Sequence, residues 1–333
     1  MQERAAAPRY GRPKGPGEGA YAALDLGTNN CRLLIARRAP DGFSVVGSFS
    51  RIVRLGEGLA ASGRLDDRAM ARAMAALHIC AQRMGGWRIA AQRCIATQAC
   101  RIAENGSEFL ARVRRETGLD FSVITPGEEA ALSVRGCAGL IDQTAEAALI
   151  VDVGGGSTEL SWVDARTAET RAWMSLPFGV VTLAERYGDG ADDLEGYRAI
   201  INEVRGALSS FRGADGLRAV FARGAAHALG TSGAVTSLAA TKLGLARYER
   251  RHVDGVWMSV DDTRRTAEIL RLMGRDGRAR HGCIGPDRAD LVVPGAAILE
   301  ALFAEWPVSR VRVADRGLCE GVLLSLMESR RAQ

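Results

Sequence analysis

The chain has 333 residues, 47% hydrophobic and 25% charged, with a formal net charge of +5. That length carries two domains with cores of their own, and the composition excludes a fibrous or disordered chain. Seven cysteines with no Cys-x-x-Cys pair argue for a reducing compartment, and the four histidines lack the spacing of a zinc site.

The first nineteen residues hold Pro8, Pro13 and Pro16 and no apolar core. They read as a flexible tail rather than a signal peptide. No later segment has the uninterrupted apolar length to span a bilayer, so a cytoplasmic protein is expected. Tyr21 to Leu24 is a short apolar strand running into Asp25-Leu26-Gly27-Thr28-Asn29-Asn30, and Cys31 to Ala36 returns. Strand, tight turn and return strand make a hairpin. Gly42 to Ser50 is a further strand, and Arg54 to Leu59 a loop. A helix begins at Leu65-Asp66-Asp67, capped by Asp66 or Asp67, with Met70, Met74, Leu77 and Ala81 forming a core stripe at helical spacing.

Arg88 to Ala96 reads as a strand. Thr97 to Arg101 starts a helical stretch that continues over Ser107 to Thr117 with Phe109, Leu110 and Val113 inward. Phe121 to Ile124 is a strand closed by Thr125-Pro126-Gly127, and Glu128-Glu129 opens a helix with carboxylates in its first turn.

The second half repeats this order. Ala147 to Val151 is an apolar strand running into Asp152-Val153-Gly154-Gly155-Gly156-Ser157-Thr158-Glu159, and Leu160 to Val163 returns. Glycine takes positive φ freely, so such a run can curl and aim backbone N–H groups at an anion. The hydroxyls add donors, and the flanking carboxylates suit a hard cation such as Mg²⁺ beside a phosphate. Two related hairpins, each opening a long α/β segment, indicate a duplicated domain with a phosphate clamped between the halves. A third strand follows near Arg171 to Ser175, then helices over Val180 to Tyr187 and Leu194 to Phe211. Val220-Phe221 reads as a strand fragment. Gly230-Thr231-Ser232-Gly233 is a second glycine and hydroxyl turn entering a helix. Arg247, Arg250 and Arg251 read as a solvated face. Helices over Asp261 to Met273 and Leu291 to Phe303, a strand over Val308 to Val313 and a helix over Leu318 to Glu328 complete the chain.

Asp25 to Asn29, Glu128-Glu129-Ala130, Asp152 to Glu159, Gly230 to Gly233, Arg288-Ala289-Asp290-Leu291 and Arg316-Gly317-Leu318 together resemble, in that order, the exopolyphosphatase and guanosine-pentaphosphate phosphohydrolase family. The resemblance runs from about Tyr21 to the final helix. It implies an α/β fold of two RNase-H-like domains, of the actin-like, sugar-kinase and Hsp70 superfold, flanking an active-site cleft. The expected division is a tail over 1–19, an N-terminal domain over 20–143 and a C-terminal domain over 144–333. The break is expected near Asp142 to Glu146, with the last helix, 318–330, packing back on the first domain. The chain resembles the family's short form.

Carried over residue by residue, Glu129 matches the catalytic base, and Asp152 and Glu159 match metal-site carboxylates, joined by Asp25 from the first hairpin. Gly154, Gly155, Gly156, Ser157 and Thr158 match the phosphate loop, with Thr28, Asn29 and Arg101 as further phosphate contacts. Mg²⁺ is the implied cofactor. Two departures stand out: Ala131 and Cys319 occupy positions where the family often has arginine. The resemblance implies exopolyphosphatase activity first and hydrolysis of guanosine pentaphosphate second. A nucleotide-sensing regulator that keeps the fold without catalysis is the reading of another class, and a kinase of the same superfold is a further rival. A homodimer is implied; nucleic acid and membrane are not expected partners.

Overall fold

The computed structural model describes residues 19–329 apart from 41 and 215, so the expected tail lies outside the described residues but for Gly19. Eleven strands build two sheets among them. The first contains β1 (Ala20–Leu26), β2 (Asn30–Ala39), β3 (Gly42–Ile52), β4 (Ile89–Ala96) and β5 (Phe121–Val123), in the order β3-β2-β1-β4-β5. The second contains β6 (Ala147–Val153), β7 (Thr158–Asp164), β8 (Thr170–Leu176), β9 (Ala226–Thr231), β10 (Trp257–Ser259) and β11 (Arg310–Ala314), in the order β10-β11-β9-β6-β7-β8.

Each sheet starts with an antiparallel meander and is extended from its first strand by parallel crossovers: β1 pairs β4 and β4 pairs β5, as β6 pairs β9 and β9 pairs β11. The second sheet adds antiparallel β10 at its edge. This duplicated five-strand order is the RNase-H-like pattern of the actin-like superfold, as expected. The central strands are buried on both faces, which is why β1 and β6 read as continuous small and aliphatic runs. Both run towards an Asp near the carboxyl end, where α/β sheets present their ligands. In the hairpins Asp25 pairs with Arg32, and Asp152 with Glu159. The partners lie seven positions apart in both cases, so the copies align position for position.

Helix Asp67–Gly85 starts as expected: the Asp66 carboxylate accepts the Arg68 and Ala69 amides. Two expectations change. Val220 and Phe221 lie in a helix, Leu217–Ala222. Leu217, Val220 and Phe221 recur at i, i+3 and i+4, and all three are buried, so the period is helical. The strand is β9, whose alanines and glycine carry little strand propensity and are held by neighbours on both sides. The strand β10, read as no element, completes the edge.

Two helices exchange sides. The Glu129 helix, Pro126–Cys137, lies before the expected break at 143, yet Val134 and Cys137 pack with Ala148, Ile150 and Val163 of the second sheet. The last helix, Leu318–Ser329, packs Val322, Leu323 and Met327 against Tyr21, Ala23 and Leu34 of the first. The two helices cross backbone to backbone. A Cβ at Gly136 would stand 1.9 Å from the Gly317 carbonyl oxygen, and one at Gly321 2.0 Å from that of Leu132. Alanine normally stabilises a helix interior over glycine by ~1 kcal/mol. Here the clash dominates: Gly321→Ala is expected to destabilise the protein by about 1–3 kcal/mol in urea unfolding. A gain in stability would show that the crossing is loose.

Candidate active site

The two hairpin turns meet. A Cβ on Gly155 would lie 2.9 Å from Asn29 Cβ, and one on Gly156 2.0 Å from Gln98 Oε1 and 2.9 Å from Thr28 Oγ1. None of Gly154, Gly155 and Gly156 has positive φ. Glycine is required for the closeness of the opposing turn, not for the left-handed backbone the sequence suggested. The Gly154 and Gly155 carbonyls accept the Val180 and Val181 amides at 3.0 and 2.8 Å, so the start of helix Val180–Tyr187 absorbs the loop's acceptors. The N–H groups of Thr28, Asn29, Gly155 and Gly156 donate to no protein acceptor among the described residues. The first turn is held from outside: the Val53 and Arg54 amides both donate to the Asn29 carbonyl, and Gly56 donates to that of Thr28. Arg54 adopts φ of 47° there and reaches across to Asp290 with a bidentate ion pair of 2.6 and 2.8 Å.

These turns open onto a cleft of about 720 Å³, lined by Asp25, Thr28, Asn29, Glu129, Asp152, Gly154 to Ser157 and the Gly230 turn's Thr231 to Gly233. The size suits a small-molecule site. Glu129 comes from the first turn of its helix, whose Thr125 hydroxyl caps the Glu128 amide. Its carboxylate is nearly buried and accepts from Arg101 Nη1 at 3.2 Å. Burial pushes Glu129 above the ordinary carboxylate range, Arg101 opposes this, and Asp25 and Asp152 add to it. Burial and then Asp152 push Asp25 up to about 7, against the pull of Arg32. Asp152 is raised by burial and held down by the Ser133 hydroxyl and Arg32. Glu159 is raised by burial, Glu129 and Asp152, and accepts from the Ser175 hydroxyl at 2.8 Å. Four carboxylates therefore share one site and disfavour one another's ionisation.

Three expected site residues stand behind the lining rather than in it. Thr158 is fully buried and donates its hydroxyl to the Phe178 carbonyl at 3.1 Å, so its side chain serves the core and not a phosphate. Glu159 is 2% exposed and backs Asp152 across the hairpin. Arg101 donates to Glu129 and to the Ile124 carbonyl, which makes it a holder of the acid in this arrangement. Thr28, Asn29, Asp25, Glu129, Asp152 and the loop from Gly154 to Ser157 do converge.

Residues 34–330 match the Ppx/GppA phosphatase family. The chain belongs to that family. Among solved structures, an exopolyphosphatase-like protein is 30% identical over 92% of this chain and 97% of its own, with a TM-score of 0.83. A Ppx/GppA family member from Aquifex aeolicus is 25% identical over 93% and 98%, with a TM-score of 0.76. An exopolyphosphatase from Cytophaga hutchinsonii, 22% identical over 93% and 98% at a TM-score of 0.80, shares the fold.

This Ppx/GppA phosphatase carries cleft arginines to which the sequence alone assigned no site role. Arg32, Arg250, Arg288 and Arg316 all line the cavity. Arg32 carried a signal, since it occupies the position of Glu159 in the other hairpin. Arg250 belonged to a run read as solvated, and Arg247 and Arg251 are indeed mostly exposed. Of the two departures from the family pattern, Ala131 is exposed and Cys319 is buried in the core under the first sheet.

A hard cation fits the donor set. Asp25 Oδ1 is buried with no hydrogen-bond partner, and Asp152 is its equivalent in the second hairpin. Among the described residues no three His, Cys, Asp or Glu side chains form a closed metal cage. Mg²⁺ does not need one, because it keeps waters and takes one or two carboxylates with the substrate's own phosphate oxygens.

The raised Asp25 has a thermodynamic signature. A carboxyl whose folded pKa lies above its unfolded value contributes stability that is complete below about pH 4 and is lost as pH rises through about 7. In chelator, Asp25→Asn is therefore expected to melt above wild type at pH 8, with a gain of at most about 4 kcal/mol, and the gap should shrink as pH falls and close only below about pH 4. A gap independent of pH would show that Asp25 titrates normally.

Proposed function

We propose that this chain is a Mg²⁺-dependent exopolyphosphatase that hydrolyses the terminal phosphoanhydride of inorganic polyphosphate. The observation that carries this reading is the meeting of two turns whose unpaired N–H groups border a cluster of carboxylates in one cleft. Phosphoryl transfer needs little covalent help from protein; it needs a positioned terminal phosphate, neutralised charge and an aligned water. The amides of Thr28, Asn29, Gly155 and Gly156 would bind the equatorial oxygens. Glu129 would orient the attacking water and take its proton, and its raised affinity for a proton suits that task. Arg101 would keep the Glu129 carboxylate in one orientation. Asp25 and Asp152 would hold the cation, with Glu159 supporting Asp152 from behind. Bound there, Mg²⁺ would neutralise charge on the transferring group. The four arginines in the cleft wall give a polyanion partners beyond its terminal phosphate. Among the described residues no helix is long and apolar enough to cross a membrane. All seven cysteines are free and buried, which suits a reducing compartment such as the cytoplasm.

Phosphate release from long-chain polyphosphate and from guanosine pentaphosphate, assayed side by side with Mg²⁺, tests the substrate. Faster release from polyphosphate is expected, and a strong preference for the nucleotide would reverse the assignment. Glu129→Gln is expected to lower kcat by roughly 10²–10⁴-fold while retaining tripolyphosphate binding in calorimetry. Retained turnover would remove Glu129 as the base. The cation has a readout apart from turnover: Mg²⁺ should raise the melting temperature of wild type at pH 8 and leave Asp25→Asn nearly unmoved.

A further inference from the structure

Glu320 lies outside the cleft lining, yet it touches both walls. It is 3% exposed and sits in the first turn of the last helix, packed beneath the first sheet. Its Oε1 accepts from Arg32 Nη2 at 2.8 Å and from Arg250 Nη2 at 3.2 Å. Its Oε2 accepts from the Gly317 amide at 2.9 Å. Arg32 belongs to β2 of the first sheet, opposite Asp25. Arg250 opens the short helix Arg250–Val253 in the second half. Both guanidiniums line the cavity and keep part of their surface open, with side chains 25% and 40% exposed. One buried oxygen therefore holds two cations side by side, one from each half of the molecule. Arg250 is further restrained by Asp315, 3.8 Å from its Nε, while Asp315 accepts the Tyr248 hydroxyl at 2.6 Å.

We propose that Glu320 is a positioning residue for anion binding: it pins Arg32 and Arg250 as a paired clamp on a phosphate group of the substrate. A guanidinium presents a planar fork, so one edge can bind the buried carboxylate while another N–H addresses a phosphate oxygen. Without the carboxylate, two adjacent cations repel and lose their common anchor. The proposal deepens the phosphohydrolase reading and rests on it. It also opposes the simplest electrostatic expectation. Removing a negative charge beside an anion site should tighten anion binding; removing this one should weaken it, because orientation is lost.

Calorimetric titration of inorganic tripolyphosphate with Mg²⁺ present, into Glu129→Gln protein and into the same protein carrying Glu320→Gln, separates the possibilities. The added substitution is expected to weaken binding roughly tenfold. Equal or tighter binding in folded protein overturns the proposal. Absence of binding before Glu320 is changed overturns the phosphohydrolase reading, and this proposal with it. In otherwise wild-type protein, Glu320→Gln should raise KM for polyphosphate roughly tenfold with kcat within about threefold. A merely structural role would lower kcat through a smaller active fraction at unchanged KM, and that result also overturns it. Should the Gln variant fail to fold, Glu320→Asp carries the test. It keeps the charge but withdraws it by one methylene, and an intermediate KM is expected; an unchanged KM overturns the clamp.

Discussion

Charging four desolvated acidic side chains, three in the cleft wall and Glu159 just behind it, is costly, and the surroundings of the site answer that cost. Burial raises Asp25, Glu129, Asp152 and Glu159, and neighbouring carboxylates push Asp25, Glu129 and Glu159 up further. The protein offsets part of this with the Ser133 and Ser175 hydroxyls and with Arg32 and Arg101. The rest favours a proton or a cation, and a phosphohydrolase can use both. The two hairpins share the load unequally. In the first, Asp25 faces Arg32; in the second, Asp152 faces Glu159. A duplicated scaffold thus carries one charge-balanced copy and one doubly acidic copy. The acidic excess lies on the half against which the Glu129 helix packs.

The packing keeps this arrangement in register. The Glu129 helix belongs to the first half by sequence and to the second sheet by contact, while the last helix makes the reverse exchange. Their glycine crossing brings backbone against backbone, so the acid is fixed relative to both sheets with little room to drift. Arg54 adds a tie at the mouth of the cleft. Its amide helps hold the first turn while its guanidinium grips Asp290 on the opposite side. A left-handed backbone at a non-glycine residue is an uncommon conformation, retained here where turn and ion pair both depend on it.

Much of the site was legible in the chain because its signals are local. A strand ending in Asp, a glycine turn and a return strand lie within a single short stretch of chain, and so do the Asp66 cap and the Glu129 helix start. Thr158 joined the phosphate loop on a pattern of hydroxyls beside glycines, which does not tell which face of β7 each side chain takes. Its neighbour Ser157 borders the cleft, while Thr158 turns to Phe178. The contact between Arg250 and Glu320 was invisible for a different reason. Arg250 reaches its carboxylate across 70 positions, and Arg32 reaches the same one across 288. No window on the sequence contains both ends of such a contact.

The amino-acid sequence alone determined the two hairpins, the order of strands and helices that makes a duplicated α/β fold, and the acidic and glycine residues at the strand ends. These depend on backbone preference and on the period of burial, which act between near neighbours. The tertiary structure alone decided that the turns touch, that glycine there serves clearance, that two helices change sides, and which arginines enter the cleft. Those outcomes depend on distances between segments far apart in the chain, and such distances exist only once the two sheets have packed.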